Sequence, residues 1–268
     1  VKLRVSSSIV NFRDKAEKTW GLERYCFPWD IFKPIVFFGM YHIGDYFHYF
    51  IHRGKKTIVW AGSDIQTLLK SIFPWYLLFR NAKHYCENGV ERAGLLWKGI
   101  DSEIKPSFLE DINDFPVCFY PPKVEKAHVF ITGHMGREDE YGWNIVEKIA
   151  TSLPNIVFHI YGTDIQKSPC NIIYHGRVSN KQFNKDIKSD HCGLRLNEHD
   201  GFSEVLAKSV LMGQYPISRI KYPHIWNYET EEELLCLLEM VCKREKPNLI
   251  AREFWRKNVN NYDFIKER

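Results

Sequence analysis

His199-Asp200-Gly201-Phe202-Ser203 closes one apolar strand and opens one amphipathic helix within a single tight turn. Upstream, His191-Cys192-Gly193-Leu194-Arg195-Leu196 reads as a buried strand. Downstream, Glu204 to Met212 has helical spacing, Gly213 suits the helix C-cap, and Tyr215-Pro216-Ile217 starts another strand. The order is strand, helix, strand, which makes a βαβ unit with parallel strands. Gly201 lets the backbone turn without a Cβ clash, and Ser203 is a good N-cap. The N–H groups just after Ser203 carry partial positive charge, which suits a phosphate. An ordinary strand-to-helix turn has the same local pattern, so the surrounding residues must decide.

The alternation extends outward from that turn. Ala127 to Thr132 is a strand followed by Gly133-His134-Met135-Gly136-Arg137, then Tyr141-Gly142 and a helix. Ile156 to Ile160 leads into Tyr161-Gly162-Thr163-Asp164, and Ile172 to Tyr174 leads into His175-Gly176-Arg177-Val178. In the first half, Val36 to Gly39, Thr57 to Trp60 and Lys83 to Cys86 are short strand candidates separated by helical patterns, of which Ile43 to His52 is the clearest. Lys2 to Ser6 supplies a further strand. Repeated strand-helix alternation predicts mostly parallel sheets. Pro116 to Lys123 is the natural linker, because Pro121-Pro122 extends neither flanking element. The boundary is expected near residue 120, with 1–120 and 121–249 as the two domains. Residues 250–268, with Trp255, Val259, Tyr262 and Ile265 at helical spacing, are expected to cross back onto the first domain.

In order and spacing, these segments of residues 127 to about 220 resemble the donor-binding half of retaining, nucleotide-sugar-dependent GT-B glycosyltransferases of the group 1 kind. The resemblance implies an α/β fold of two Rossmann-like domains facing a cleft. Before residue 115 it is architectural only, and the first domain is expected to be abbreviated. It implies transfer of a sugar from a nucleoside-diphosphate donor, a UDP- or GDP-sugar, to a hydroxyl of a glycan or lipid-linked acceptor, with retention and without another cofactor. The implied donor residues are Gly133, His134, Arg137, Gly162, Arg177, Val178, Asp200, Gly201, Phe202, Ser203 and Lys208. Arg137 and His134 would supply charge to the diphosphate, and the backbone of Arg177 and Val178 would contact the base. Lys208 departs from the family, which has a glutamate for the ribose there; a helical side chain at that position leans back toward the turn. A solvent-facing lysine on a drifted site is the other reading.

In the first domain, Asp64 and His42 are the candidates for the reaction, because Trp60 to Asp64 and Gly39 to His42 each leave a strand at its carboxyl edge. Either can take the acceptor proton or bond the donor sugar. Asp64 as a helix cap is the rival reading. The chain contains no Asp-x-Asp, the spacing with which many sugar transferases hold a bridging metal, so no metal is expected. His48 and His52 are spaced i, i+4 but lack the Glu of His-Glu-x-x-His. A non-catalytic nucleotide- or glycan-binding module of the same fold is the alternative function. A sugar-nucleotide epimerase needs an acid pair that the sequence does not place.

At 268 residues the chain suits two domains, and a net charge of +4 makes no demand for nucleic acid. The seven cysteines, with no Cys-x-x-Cys, read as reduced core residues in a cytoplasmic setting, with zinc not expected. No apolar run approaches the roughly 18 residues of a membrane helix. Ile72 to Arg80, beside Lys83 and His84, reads as a helix buried on its sheet or lying peripherally on a membrane surface. A chain opening at Val1 is expected of an excised portion with flanking domains outside it.

Overall fold

The computed structural model describes residues 1–72, 75–122, 127–134, 136–163, 170–259 and 265. Phe73, Pro74, Met135, Asp164 and Tyr262, which figure in the sequence reading, lie outside the described residues, as do the side chains of Trp75 and Tyr76. The chain divides into two compact units: residues 1–111 with 199–202 and 258–268, and residues 112–198 with 203–257.

The first unit is built on six strands: β1 (Lys2–Val5), β2 (Glu23–Arg24), β3 (Ile35–Phe38), β4 (Lys56–Val59), β5 (Ala82–Cys86) and β6 (Glu103–Ile104). They pair parallel in the order β2-β1-β3-β4-β5-β6. All four residues of β3 are buried, as a parallel central strand covered on both faces requires. The economy of this unit lies in strand length, since β2 and β6 have two residues each. One core cluster contains Leu3, Trp20, Val36 and Val59, and Ile265 joins it. A second contains Phe37, Tyr49, Trp60, Phe79 and Leu95. The helix Trp75–Phe79 buries Phe79 and leaves Leu77 exposed.

The second unit carries β7 (Ala127–Thr132), β8 (Ile156–Tyr161), β9 (Ile172–Gly176), β10 (Cys192–Arg195), β11 (Ile217–Ser218) and β12 (Trp226–Asn227). They are parallel in the order β12-β11-β10-β7-β8-β9. Numbered within the unit this is 6-5-4-1-2-3, the doubly wound order that reverses between its first and fourth strands, here β7 and β10. Val129, Ile131, Phe158 and Ile160 face one core with the helix Trp143–Ser152, while His128 and His159 point to the other face by strand alternation. The expected linker joins this unit through its non-proline residues: Phe119 is buried against His191 and Tyr215, and the Cys118 N–H bonds the Met212 carbonyl at 3.0 Å, while Pro116 and Pro121 are exposed. Thr230 and Glu233 cap the helix Glu231–Cys242 reciprocally.

All seven cysteines are unpaired; Cys86 and Cys192 are core residues, but Cys26, Cys170 and Cys236 are exposed. Among the described residues no helix is long and apolar enough to cross a membrane.

Candidate functional site

In the first unit, loops from the carboxyl ends of β1, β3, β4 and β5 carry the polar groups. Asp64, in the first turn of the helix Ser63–Lys70, is fully buried. Its two oxygens accept backbone N–H bonds from Met40 (2.9 Å), Ala61 (3.1 and 3.3 Å) and Ile65 (2.8 Å). Burial pushes this carboxyl up to about 6, against the backbone bonds that favour its charge. Asp64 thus ties the loop after β3 to the loop after β4; Gly62, not Asp64, is the N-cap, and the geometry favours a positioning role for Asp64 over contact with a substrate.

His42 is exposed and N-caps the helix Ile43–Ile51. Its Nε2 lies 2.6 Å from Ser8 Oγ, and its backbone N–H donates to Asp45 at 3.1 Å. Asp45 is buried and also receives Ser6 Oγ at 2.6 Å and Arg4 at 3.1 Å. These contacts join β1 to β3, the pair at which this sheet's strand order reverses.

The turn Asp200-Gly201-Phe202 packs within this unit against one of the protein's own carboxyl groups. The Phe202 N–H donates to the Glu87 carboxylate, which also accepts from Ser107 Oγ. Asn88 Nδ2 bonds the carbonyls of Asp200 (2.9 Å) and Gly201 (3.1 Å). The Phe202 N–H is therefore committed to Glu87, while the N–H groups expected to face a phosphate are those after Ser203. Gly201 is required by close approach: a Cβ there would run into Glu87 Oε2 and lie 3.2 Å from Ala61 C and Gly62 N. Gly201→Ala should cost about 1–3 kcal/mol as overpacking, lowering the melting temperature by roughly 2–4 °C per kcal/mol. A variant melting with the wild type would show that the turn is not pinned there.

Glu87 and Glu91 escaped the sequence reading. Glu91 Oε2 accepts the Glu87 N–H at 2.7 Å, and Asn88 caps the helix Gly89–Trp97 by accepting from Glu91 N–H at 3.0 Å. Asn88-Gly89-Val90-Glu91 was visible as a capping signature, but nothing local marked its acids as buried. Burial raises both carboxyls, and the charge of Glu87 raises Glu91 further. Acids raised above their unfolded values near 4.3 stabilise the fold below that value and lose this contribution as pH rises toward the folded value. Glu91→Gln keeps an acceptor for the Glu87 N–H and removes the charge. Its melting temperature should fall less than the wild type's between pH 5 and pH 8. Equal pH dependence in the two proteins would contradict the assignment.

In the second unit, the carboxyl edge gathers Gly133 after β7, Gly162 after β8 and Gly176 closing β9. Gly133 N–H bonds the Tyr161 carbonyl at 2.7 Å, and Gly162 N–H bonds the Gly176 carbonyl at 2.8 Å. A Cβ on Gly162 would strike the Gly133 carbonyl, and its φ of +92° favours glycine as well. His134 is exposed, as is Arg177, and Val178 is half-buried. Arg137 is exposed and bonds Glu140, at 2.9 Å through Nε. Arg195, which the sequence marks only as part of a buried strand, stands at the carboxyl end of β10. It donates to Thr132 Oγ1 at 3.0 Å and lies over the Tyr141 ring at 4.9 Å, at the β7/β10 reversal. Ser203 caps the helix Glu204–Leu211 by accepting from Leu206 N–H at 3.4 Å. Lys208 is 1% exposed, so it does not face solvent. It leans toward the helix start as expected, with Nζ 3.6 Å from the Glu204 carboxylate and 5.3 Å from the Phe183 ring centre.

No protein-family model and no curated protein matches this sequence. Solved structures do match. The lipopolysaccharide outer core galactosyltransferase WaaB aligns at a TM-score of 0.60 and 13% identity, over 97% of this chain and 82% of its own. Anabaena HepE, solved with UDP and glucose, aligns at 0.61 and 10% identity, over 87% and 77%. TarM aligns at 0.52 and 12% identity over 85% of this chain, which spans about half (51%) of TarM's length. With two Rossmann-like units on parallel sheets, the chain has the fold of the GT-B glycosyltransferases.

Proposed function

We propose that this chain transfers a sugar from a nucleoside-diphosphate sugar to a hydroxyl acceptor. The observation that carries the reading is the carboxyl edge of the second unit at the β7/β10 reversal, where open α/β sheets bind their ligands. There Gly133 packs against the Trp143 ring and Gly162 against the Gly133 carbonyl, which draws the strand ends together, and Thr132 and Tyr141 orient the Arg195 guanidinium. An oriented guanidinium is suited to a diphosphate, which it can bind through two parallel N–H bonds. Similar structures that contain UDP include HepE with glucose, the pneumococcal transferase GtfA with GlcNAc and a TarM variant, which supports a UDP-sugar over a GDP-sugar.

In this reading Arg195 and Arg137 bind the diphosphate, and His134 adds a donor beside them. The backbone at Arg177 and Val178 meets the base. Asp200, Gly201 and Phe202 are held in register by Glu87 and Asn88, leading the chain into the helix capped by Ser203. The bond from the sugar's anomeric carbon to the diphosphate oxygen breaks and a bond to the acceptor oxygen forms, with retention. The acceptor proton passes to a base, for which exposed His42 is the first-unit candidate, with Asp64 as a positioning residue. Negative charge grows on the departing diphosphate, and cationic side chains stabilise it without a bridging metal. The acceptor is a glycan or lipid-linked hydroxyl.

Release of nucleotide from UDP- and GDP-sugars, measured after EDTA treatment, tests this function. Turnover is expected to persist; its loss on chelation and return with manganese or magnesium would overturn metal independence. A non-catalytic binding module is the second reading, favoured by the enclosure of Asp64, Glu87 and Glu91. Tight nucleotide binding with no release from any sugar nucleotide would select it.

A further inference from the structure

Four histidines converge on one face of the second unit's sheet. His128 Nδ1 on β7 lies 2.8 Å from His159 Nε2 on β8, and His159 Nδ1 lies 2.8 Å from His175 Nε2 on β9. The His191 ring, just before β10, accepts the His128 backbone N–H at 2.9 Å. Beside them Asp190 is 3% exposed, and no hydrogen-bond partner among the described residues reaches its Oδ2. A buried carboxylate oxygen without a donor is costly, and a cation satisfies it. One ligand atom each from His128, His159 and Asp190 lies within 4.8 Å of the others.

We propose that His128, His159 and Asp190 bind one divalent ion of the zinc class, which takes imidazole nitrogen with carboxylate oxygen. Around a tetrahedral ion with bonds near 2.05 Å, ligand atoms stand about 3.3 Å apart. The two ring nitrogens must therefore open slightly and the Asp190 oxygen move in by up to about 1.5 Å. With the ion on His159 Nε2, His159 Nδ1 carries the proton and donates to His175, the outer support that zinc-bound histidines usually have. Water completes the shell. The site bridges β7, β8 and the entry to β10, so the ion's work is to hold the sheet together. His128, second in β7, and Asp190, ahead of β10, place the site away from the carboxyl edge assigned to the donor. The proposal is independent of that assignment.

Titration with zinc, and with cobalt for its visible spectrum, tests the site on metal-free protein. The expected result is one ion per chain and a melting temperature raised by roughly 5–10 °C at one hundred times the dissociation constant. Asp190→Asn and His159→Gln should each weaken binding at least tenfold. Metal-free Asp190→Asn should melt no lower than the wild type, because it loses an acid whose Oδ2 is buried without a donor; this separates lost ligation from lost folding. Binding that is absent, or equally tight in both variants, overturns the proposal. Nucleotide binding should be unchanged by the metal.

Discussion

Lys208→Glu is expected to unfold the second unit some 3–5 kcal/mol more easily, because a buried charge whose partner is reversed has no compensation. For a chain of this size that is a fall in melting temperature on the order of 10 °C. The physical basis is enclosure. Every residue from Val205 to Leu211 is buried, Lys208 is 1% exposed, and its ammonium faces the Glu204 carboxylate one turn earlier and the Phe183 ring. A glutamate would set two carboxylates against each other in that space. Lys208→Met, which keeps the stem and drops the charge, should be far milder, since Glu204 retains 25% side-chain exposure. The methionine variant also separates roles: weakened nucleotide binding at an unchanged melting temperature would make the lysine a donor contact. A Lys208→Glu protein melting with the wild type would refute the buried-pair account.

Arg195→Ala is expected to weaken nucleoside-diphosphate binding by roughly 10- to 150-fold, the loss of charge-assisted bonds worth about 1.5–3 kcal/mol. The guanidinium is held at the strand-order reversal by Thr132 Oγ1 and the Tyr141 ring, so little ordering remains when a ligand arrives. Arg137→Ala should have a smaller effect, because that side chain is exposed and already paired with Glu140. Arg195→Lys should not restore affinity, since a point charge does not replace a fork of donors. Titration calorimetry on the three variants gives the order directly; an Arg137 effect larger than that of Arg195 would move the diphosphate from the reversal to the loop after β7.

The fold was legible because parallel strands buried on both faces write themselves as apolar runs. Ile35–Phe38 and Ala127–Thr132 did so, and the turns after them supplied glycine. Glu23–Arg24, Glu103–Ile104 and Trp226–Asn227 were not legible, since two residues carry no periodicity and pairing alone makes them strands. The site was less readable than the fold. The residues of the turn at Gly201 suit an anion, but that the Glu87 carboxyl, 114 positions earlier, packs there depends on which strands lie side by side. Arg195 was hidden within an apolar run whose last residue reaches the edge. His128, His159 and Asp190 show no ligand spacing because the sheet, not the sequence, makes them neighbours.

Hydrogen-deuterium exchange with and without saturating UDP or GDP tests the central claim most directly, because it reports where a nucleoside diphosphate sits. The account predicts slowed exchange at Gly133, Gly162 and Gly176 to Val178 on the second unit's carboxyl edge. Protection confined to other segments, or no protection with either nucleotide at millimolar concentration, would contradict it.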